Sequence, residues 1–118
     1  MSGCGQNMVQ LARGSKVVLS TLTATTTSEY KESRGHNAFI VFLNIVGTGT
    51  WTITVQSRIP ETNTFVDHYD SAGNLMAMTA ITASRSQFFT GIPDDFKFVA
   101  TEVDGTASAT ISYELLTV

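Results

Sequence analysis

Residues 106–115 read T-A-S-A-T-I-S-Y-E-L, and this alternation decides the fold class. Apolar side chains fill one set of alternate positions, and hydroxyl or carboxyl side chains fill the other. Because successive side chains of a strand point to opposite faces, a period of two predicts a strand with one dry face and one wet face. Asp104-Gly105 stands just before it, and this dipeptide predicts a tight hairpin turn.

The rest of the chain repeats the signature of short strands between turns. Turn signals recur about every 8–12 residues, which is typical of an antiparallel sandwich or barrel. We therefore predict an all-β fold of about eight strands, a single antiparallel, jelly-roll-like β-sandwich over residues 16–118 with an extended N-terminal arm over residues 1–15. The predicted strands are 16–24, 37–46, 50–56, 64–69, 75–82, 84–90, 96–103 and 106–116.

The stretch N-A-F-I-V-F-L-N-I-V, residues 37–46, departs from this pattern because it is apolar on both faces. Phe39 and Val41 lie in one phase of the alternation, and Ile40 and Phe42 lie in the other. A sheet with one solvated face does not need the second apolar row. We expect that this row is covered or meets another subunit.

Composition limits the classes of function. Charged residues make up 14% of the 118 residues, against roughly 25% in an average domain, so we expect a partner to cover part of the surface. The net charge of −3 argues against nucleic-acid binding, which needs a basic footprint. A single cysteine, Cys4, leaves no internal disulfide. The first residues have neither a basic nor an apolar signal region, and no apolar run is long enough to span a bilayer.

The polar clusters predict no catalytic, cofactor-binding or metal site. Asp67, His68 and Asp70 form the densest cluster, but neighbouring residues of a strand point apart. We expect Asp70 to bond its own backbone in an Asx turn. His36 and Cys4 lack the context of a catalytic dyad or reactive thiol.

The aromatic residues leave a carbohydrate-binding module open. Trp51 and Tyr113 lie in phase with apolar neighbours, so we predict that they belong to the core. Tyr30 and Tyr69 are freer to stack on a sugar.

Two segments carry a family resemblance. Residues 47–67, G-T-G-T-W-T-I-T-V-Q-S-R-I-P-E-T-N-T-F-V-D, resemble a strand and turn common in small β-sandwich virion proteins of tailed bacteriophages. F-F-T-G-I-P-D-D-F-K-F-V-A-T (88–101) and A-S-A-T-I-S-Y-E-L (107–115) resemble the ending of the same proteins, which serve as head decoration (cement), tail or adaptor parts. The resemblance transfers no catalytic or binding residue.

The resemblance implies a non-enzymatic capsid decoration protein, assembled in the host cytoplasm and carried on the virion surface. Its expected partners are the major capsid protein and two further copies in a homotrimer, without nucleic acid, membrane or cofactor. The Phe88-Phe89 pair must place one ring outward, where it could anchor an interface. A tail, adaptor or baseplate component and a carbohydrate-binding module remain alternatives. The predicted interface residues are Met8, Val9, Leu11, Ile40, Phe42 and Phe89.

Overall fold

The computed structural model describes residues 16–105 and 107–118, and in these residues the chain forms strands and no helix. Every strand pairing is antiparallel. The N-terminal arm, with Met8, Val9 and Leu11, lies outside the described residues, and so do the predictions made for it. The strands are β1 (Lys16–Leu22), β2 (Thr26–Thr27), β3 (Lys31–Glu32), β4 (Ala38–Val46), β5 (Gly49–Arg58), β6 (Phe65–Asp67), β7 (Ala77–Ile81), β8 (Arg85–Thr90), β9 (Asp95–Gly105) and β10 (Ser108–Leu116).

The strands form two sheets packed face to face. The first sheet has the order β1-β10-β4-β8, and the second has the order β2-β9-β5-β6, with β3 also on β9 and β7 also on β5. If β2 with β3, and β6 with β7, are each taken as one interrupted strand, eight strands remain. This arrangement is a double-sheet jelly roll. The predicted all-β, jelly-roll-like antiparallel sandwich is therefore confirmed.

The core lies between the inner faces and is built around one aromatic cluster. Phe39 of β4 lies at its centre, with ring centroids 5.1 Å from Phe96 and 5.6 Å from Phe98 of β9. Tyr113 of β10 completes the cluster, 5.6 Å from Phe96 in an edge-to-face arrangement. These contacts join the two sheets, because β4 and β10 belong to the first sheet and β9 to the second. Edge-to-face aromatic pairs add about 0.5–1.5 kcal/mol each beyond the burial of their area.

The alternation that predicted the last strand is confirmed in β10. Ala109, Ile111 and Tyr113 are buried, whereas Thr110 and Ser112 are only partly covered on the opposite face. The prediction of a strand within residues 75–82 is confirmed by β7, which pairs with β5.

Trp51 and Glu102 each bury one polar side-chain atom. Trp51 is fully buried, and its position on β5 lies opposite Glu102 of β9. Among the described residues, neither Trp51 Nε1 nor the buried Glu102 Oε2 has a hydrogen-bond partner. An unpaired buried polar group costs about 1–3 kcal/mol.

The predicted hairpin at Asp104-Gly105 is wrong. Gly105 still belongs to β9 and pairs with Gly49 in the second sheet, whereas Ser108 begins β10 and pairs with Val46 in the first. The chain therefore crosses from one sheet to the other here, and β9 and β10 do not pair as a hairpin. The connection from β4 to β5 makes the same crossing in the opposite direction beside it.

No helix in residues 16–105 and 107–118 is long and apolar enough to cross a membrane.

Candidate functional site

An apolar patch lies on the outer face of the first sheet, where the sequence predicted a second apolar row. Ile40 and Phe42 project from β4, and Phe88 projects from β8 directly opposite Ile40. Directly opposed residues share a face of the sheet, so the three side chains are neighbours. Ile40 and Phe42 are half-buried, and the Phe88 side chain is 49% exposed. We call these three residues the outer patch.

Polar side chains surround the outer patch on the neighbouring strands. Glu114 and Ser112 of β10 lie opposite Ile40 and Phe42, and Ser86 of β8 lies opposite Phe42 from the other side. An apolar centre within a polar rim is the usual anatomy of a protein–protein interface. The patch therefore has the composition of a contact surface.

Phe89, which the sequence placed in the interface, points the other way. It lies opposite Phe39 and packs edge-to-face on that ring with a centroid distance of 5.8 Å. Phe39 faces the core, so the register between β4 and β8 turns Phe89 inward as well. The outward aromatic of this pair is Phe88, which replaces Phe89 as the candidate anchor.

The residues considered for a metal site do not converge. Asp67 faces the outside of the second sheet and accepts a hydrogen bond of 3.1 Å from Gln56 Nε2. The adjacent His68 points away from it, and its Nε2 lies 3.1 Å from the carbonyl oxygen of Gly91. Within residues 16–105 and 107–118, no three His, Cys, Asp or Glu side chains are close enough to hold a metal ion.

Asp70 makes the Asx turn predicted for it. Its Oδ1 accepts hydrogen bonds of 2.9 Å from the backbone N–H groups of Ala72 and Asn74. Gly73 has a φ of 86° in the same turn, a value that suits glycine because L side chains rarely adopt it. The carboxylate is therefore used to close the turn between β6 and β7.

His36 also has a structural contact. Its Nδ1 lies 2.9 Å from Thr117 Oγ1. The side-chain amide of the neighbouring Asn37 makes two hydrogen bonds with the backbone of Val118. Its Nδ2 donates to the carbonyl oxygen at 3.0 Å, and its Oδ1 accepts from the N–H group at 2.9 Å. These contacts fix the segment after β10 against the start of β4.

Some of the aromatic residues lie in the core and others on the surface. The prediction that Trp51 belongs to the core is confirmed. Its side chain is fully buried, so Trp51 has no face free for a sugar. Tyr30 and Tyr69 are 49% and 57% exposed. Tyr113 is buried in the aromatic cluster but also reaches the wall of a cleft.

The cleft lies at one end of the sandwich, where β3 of the second sheet faces the end of β10. It has a volume of about 340 Å³, within the range of about 300–1,000 Å³ that is usual for ligand sites. We call it the tyrosine cleft. Its lining residues are Tyr30, Lys31, Glu32, Arg34, Tyr113 and Leu115.

Side chains outside the tyrosine cleft support the Tyr30 ring. Phe65 of β6 lies beside it with a centroid distance of 6.2 Å, and the Arg58 guanidinium lies over it at 5.9 Å. Arg58 is itself held by an ion pair with Asp95 of β9. On the same face, Lys97 Nζ lies 4.4 Å from the Phe65 ring centroid. Contacts between cations and aromatic rings of this kind contribute about 0.5–1 kcal/mol at exposed sites.

Tyr113 lies on the opposite wall of the tyrosine cleft, and its environment changes the pKa of its hydroxyl group. Burial raises the pKa of Tyr113 above its ordinary value of 10.0, and the nearby Arg34 guanidinium partly opposes this rise. The Tyr113 hydroxyl therefore stays protonated at neutral pH and can donate a hydrogen bond.

Sequence reasoning identified Tyr30 as a free aromatic but missed its neighbours. Arg58 of β5 lies opposite Phe65 of β6. An interpretation of each strand by itself cannot predict which residues of two strands lie opposite each other. The one available signal is the P-E-T-N turn signal at residues 60–63 between them, because a short turn between two strands favours their pairing.

Comparison with known proteins places the fold. No family model matches the chain, and no curated protein matches it in sequence. Among solved structures, the chain is similar to the crystal structure of the SPBc2 prophage-derived protein YomS, with a TM-score of 0.52 and 12% identity over 87% of this chain and 92% of that one. At this identity the likeness establishes that the two proteins share a fold.

Proposed function

We propose that this protein is a structural component of a bacteriophage virion, a decoration or cement protein that binds the major capsid protein lattice and stabilises the head. The outer patch is the observation that carries the proposal. Ile40, Phe42 and Phe88 form an apolar surface on an exposed sheet face, and a contact with another subunit would remove it from water. The sequence resemblance and the prophage origin of YomS support the phage context.

The low charge of the chain supports the same role. With 14% charged residues, much of the surface can be desolvated without burying unpaired charges, which is costly. Burial of apolar area contributes about 25 cal/mol per Å². A shell carries many copies, so weak individual contacts act together on the lattice.

We propose that the oligomer is a homotrimer, with the outer patch as the contact between copies and residues 1–15 reaching a neighbouring subunit. A cyclic trimer would present three equivalent arms to the capsid. The protein would act on the outer surface of the head, after assembly in the host cytoplasm.

The oligomer is tested by sedimentation velocity of the wild type, Phe88→Ser and Tyr69→Ser. Tyr69 is a similarly exposed aromatic outside the outer patch, 57% against 49% for Phe88, so its replacement controls for the loss of surface aromatic area. We expect a trimer for the wild type and Tyr69→Ser, and dissociation of Phe88→Ser. A wild-type monomer at micromolar concentration, or a Phe88→Ser protein that remains trimeric, would refute the oligomer proposal.

The partner is tested by adding the protein to expanded capsids that lack decoration. We expect saturable binding and a higher temperature of capsid disruption. Binding to tail tubes or baseplates in place of heads, visible by negative-stain microscopy, would show that the protein is a tail component and would overturn the decoration role. No binding to any virion part would overturn the virion role.

A further inference from the structure

We propose that the tyrosine cleft binds an acidic saccharide, with the sugar ring on Tyr30 and the sugar carboxylate on Arg34 and Lys31. This activity is separate from the virion role. The cleft lies between the ends of β3 and β10, whereas the outer patch lies on the outer face of the first sheet.

The charge of the tyrosine cleft favours an anion. Lys31 and Arg34 line it against a single acid, Glu32, although the whole chain has a net charge of −3. An arginine guanidinium binds a carboxylate through two parallel hydrogen bonds, which adds geometric selectivity to the attraction. One carboxylate of an acidic ligand therefore matches the excess of positive charge in the cleft.

The Tyr30 ring is suited to a sugar because it is exposed and held in place. Half of its surface is open, and Phe65 and Arg58 restrain the ring from outside the cleft. An aromatic ring that is fixed before binding loses little conformational entropy when a ligand stacks on it. The apolar C–H face of a pyranose can cover such a ring while its hydroxyl groups stay hydrogen-bonded.

The polar groups of the tyrosine cleft match sugar hydroxyls. Tyr113 presents a protonated phenol as a donor, and Glu32 presents carboxylate oxygens as acceptors. Together with the cations they supply donors and acceptors around one aromatic platform, the arrangement of a few convergent polar groups that defines a specific site.

An acidic peptide fits the tyrosine cleft less well. Peptides commonly bind by adding a strand to a sheet edge and placing side chains in apolar pockets. Of the two strands that border the cleft, β10 lies inside its sheet and the edge strand β3 has only two residues, and Leu115 is the one aliphatic side chain among the six that line the cleft. A saccharide needs neither a strand edge nor an apolar pocket.

The experiment is isothermal titration of the full chain with trigalacturonic acid, with neutral α-1,4-galactotriose and with the peptide Glu-Glu-Glu. We expect the acidic sugar to bind at least about tenfold more tightly than either other probe, a ratio that corresponds to 1.4 kcal/mol. Tighter binding of the peptide, equal binding of the neutral sugar, or no binding of trigalacturonic acid at millimolar concentration would overturn the proposal.

Variants locate the site. Tyr30→Ala should weaken trigalacturonic acid binding by at least about tenfold, because the platform is lost. Arg34→Gln should weaken the binding of trigalacturonic acid by a similar factor and leave the affinity for the neutral sugar unchanged. Tyr69→Ala removes an exposed tyrosine away from the cleft and should leave both affinities unchanged. If Tyr69→Ala weakens binding as much as Tyr30→Ala while both variants keep the wild-type melting temperature, the cleft is not the site.

Discussion

Phe88 and Phe89 are adjacent in sequence but should affect different properties of the protein. Phe89 packs on Phe39 of the core, whereas Phe88 lies outside on the first sheet, 49% exposed. Removal of a fully buried phenylalanine side chain costs about 3–5 kcal/mol. Phe89 is only partly buried, so we expect Phe89→Ala to lower the free energy of unfolding by about 2 kcal/mol, which includes its edge-to-face contact.

Phe88→Ala should cost the isolated monomer at most about 1 kcal/mol, because the ring is already half in water. Its effect should instead appear in the association of copies. The melting temperature of an oligomer rises with protein concentration, and Phe88→Ala should lose this dependence. For a domain of this size, about 4 °C is lost per kcal/mol. Phe89→Ala should therefore melt about 8 °C below the wild type at every protein concentration.

The assay is calorimetry of both variants over a hundredfold range of protein concentration, with chemical denaturation at the lowest concentration. The register between β4 and β8 determines which ring is inside. If Phe88→Ala destabilises the dilute protein as much as Phe89→Ala does, the assignment of the two rings to opposite faces is wrong.

Three further predictions concern single contacts. Because the pKa of Tyr113 is raised above 10.0 on folding, its contribution to stability is complete below that pH and is lost as the pH rises through the higher pKa of the folded state; Tyr113→Phe should flatten the alkaline fall in unfolding free energy above pH 10, and an unchanged slope would contradict this. Asp70→Ala should lower the unfolding free energy by about 1 kcal/mol in urea denaturation, whereas Asp70→Asn, which keeps an acceptor, should lose less than half of that. Glu102→Met should raise the unfolding free energy by about 1 kcal/mol, because it removes a buried carboxylate oxygen without a partner; a destabilised variant would show that this oxygen is paired in solution.

Local periodicity accounts for what the sequence could predict. Thr50, Thr52 and Thr54 alternate with the buried Trp51 and Ile53 as expected, because a period of two is a property of the single strand. The two apolar phases of residues 37–46 also correctly indicated a strand with a second apolar row, which the structure places on the outer face.

Partner choice is not local, and the errors arise there. Asp104-Gly105 suits a hairpin, but its strands belong to different sheets because each finds a long partner elsewhere, β9 on β5 and β10 on β4. Phe88 and Phe89 must face opposite ways, yet only their register against β4 decides which ring is inside.

The tyrosine cleft was beyond sequence reasoning for a related reason. Tyr113 carries the pattern of a core residue and is one. Its role in a cleft depends on β3, a two-residue strand that the jelly roll brings to the same end of the sandwich. Neither Lys31 nor Arg34 stands in a motif that would have indicated an anion site.

The two sheet crossings have a consequence for how the chain acquires its structure. β4 and β5 follow each other in sequence, as do β9 and β10, and these two pairs supply the two central strands of both sheets. Neither sheet can form completely until β9 and β10 have left the ribosome. Until then β4 lacks its partner β10, and β5 lacks its partner β9. Contacts between such distant segments slow folding to the millisecond-to-second range. An apolar strand such as β4 is meanwhile exposed, and yield in recombinant expression should depend on temperature and chaperones more than on the stability of the finished sandwich.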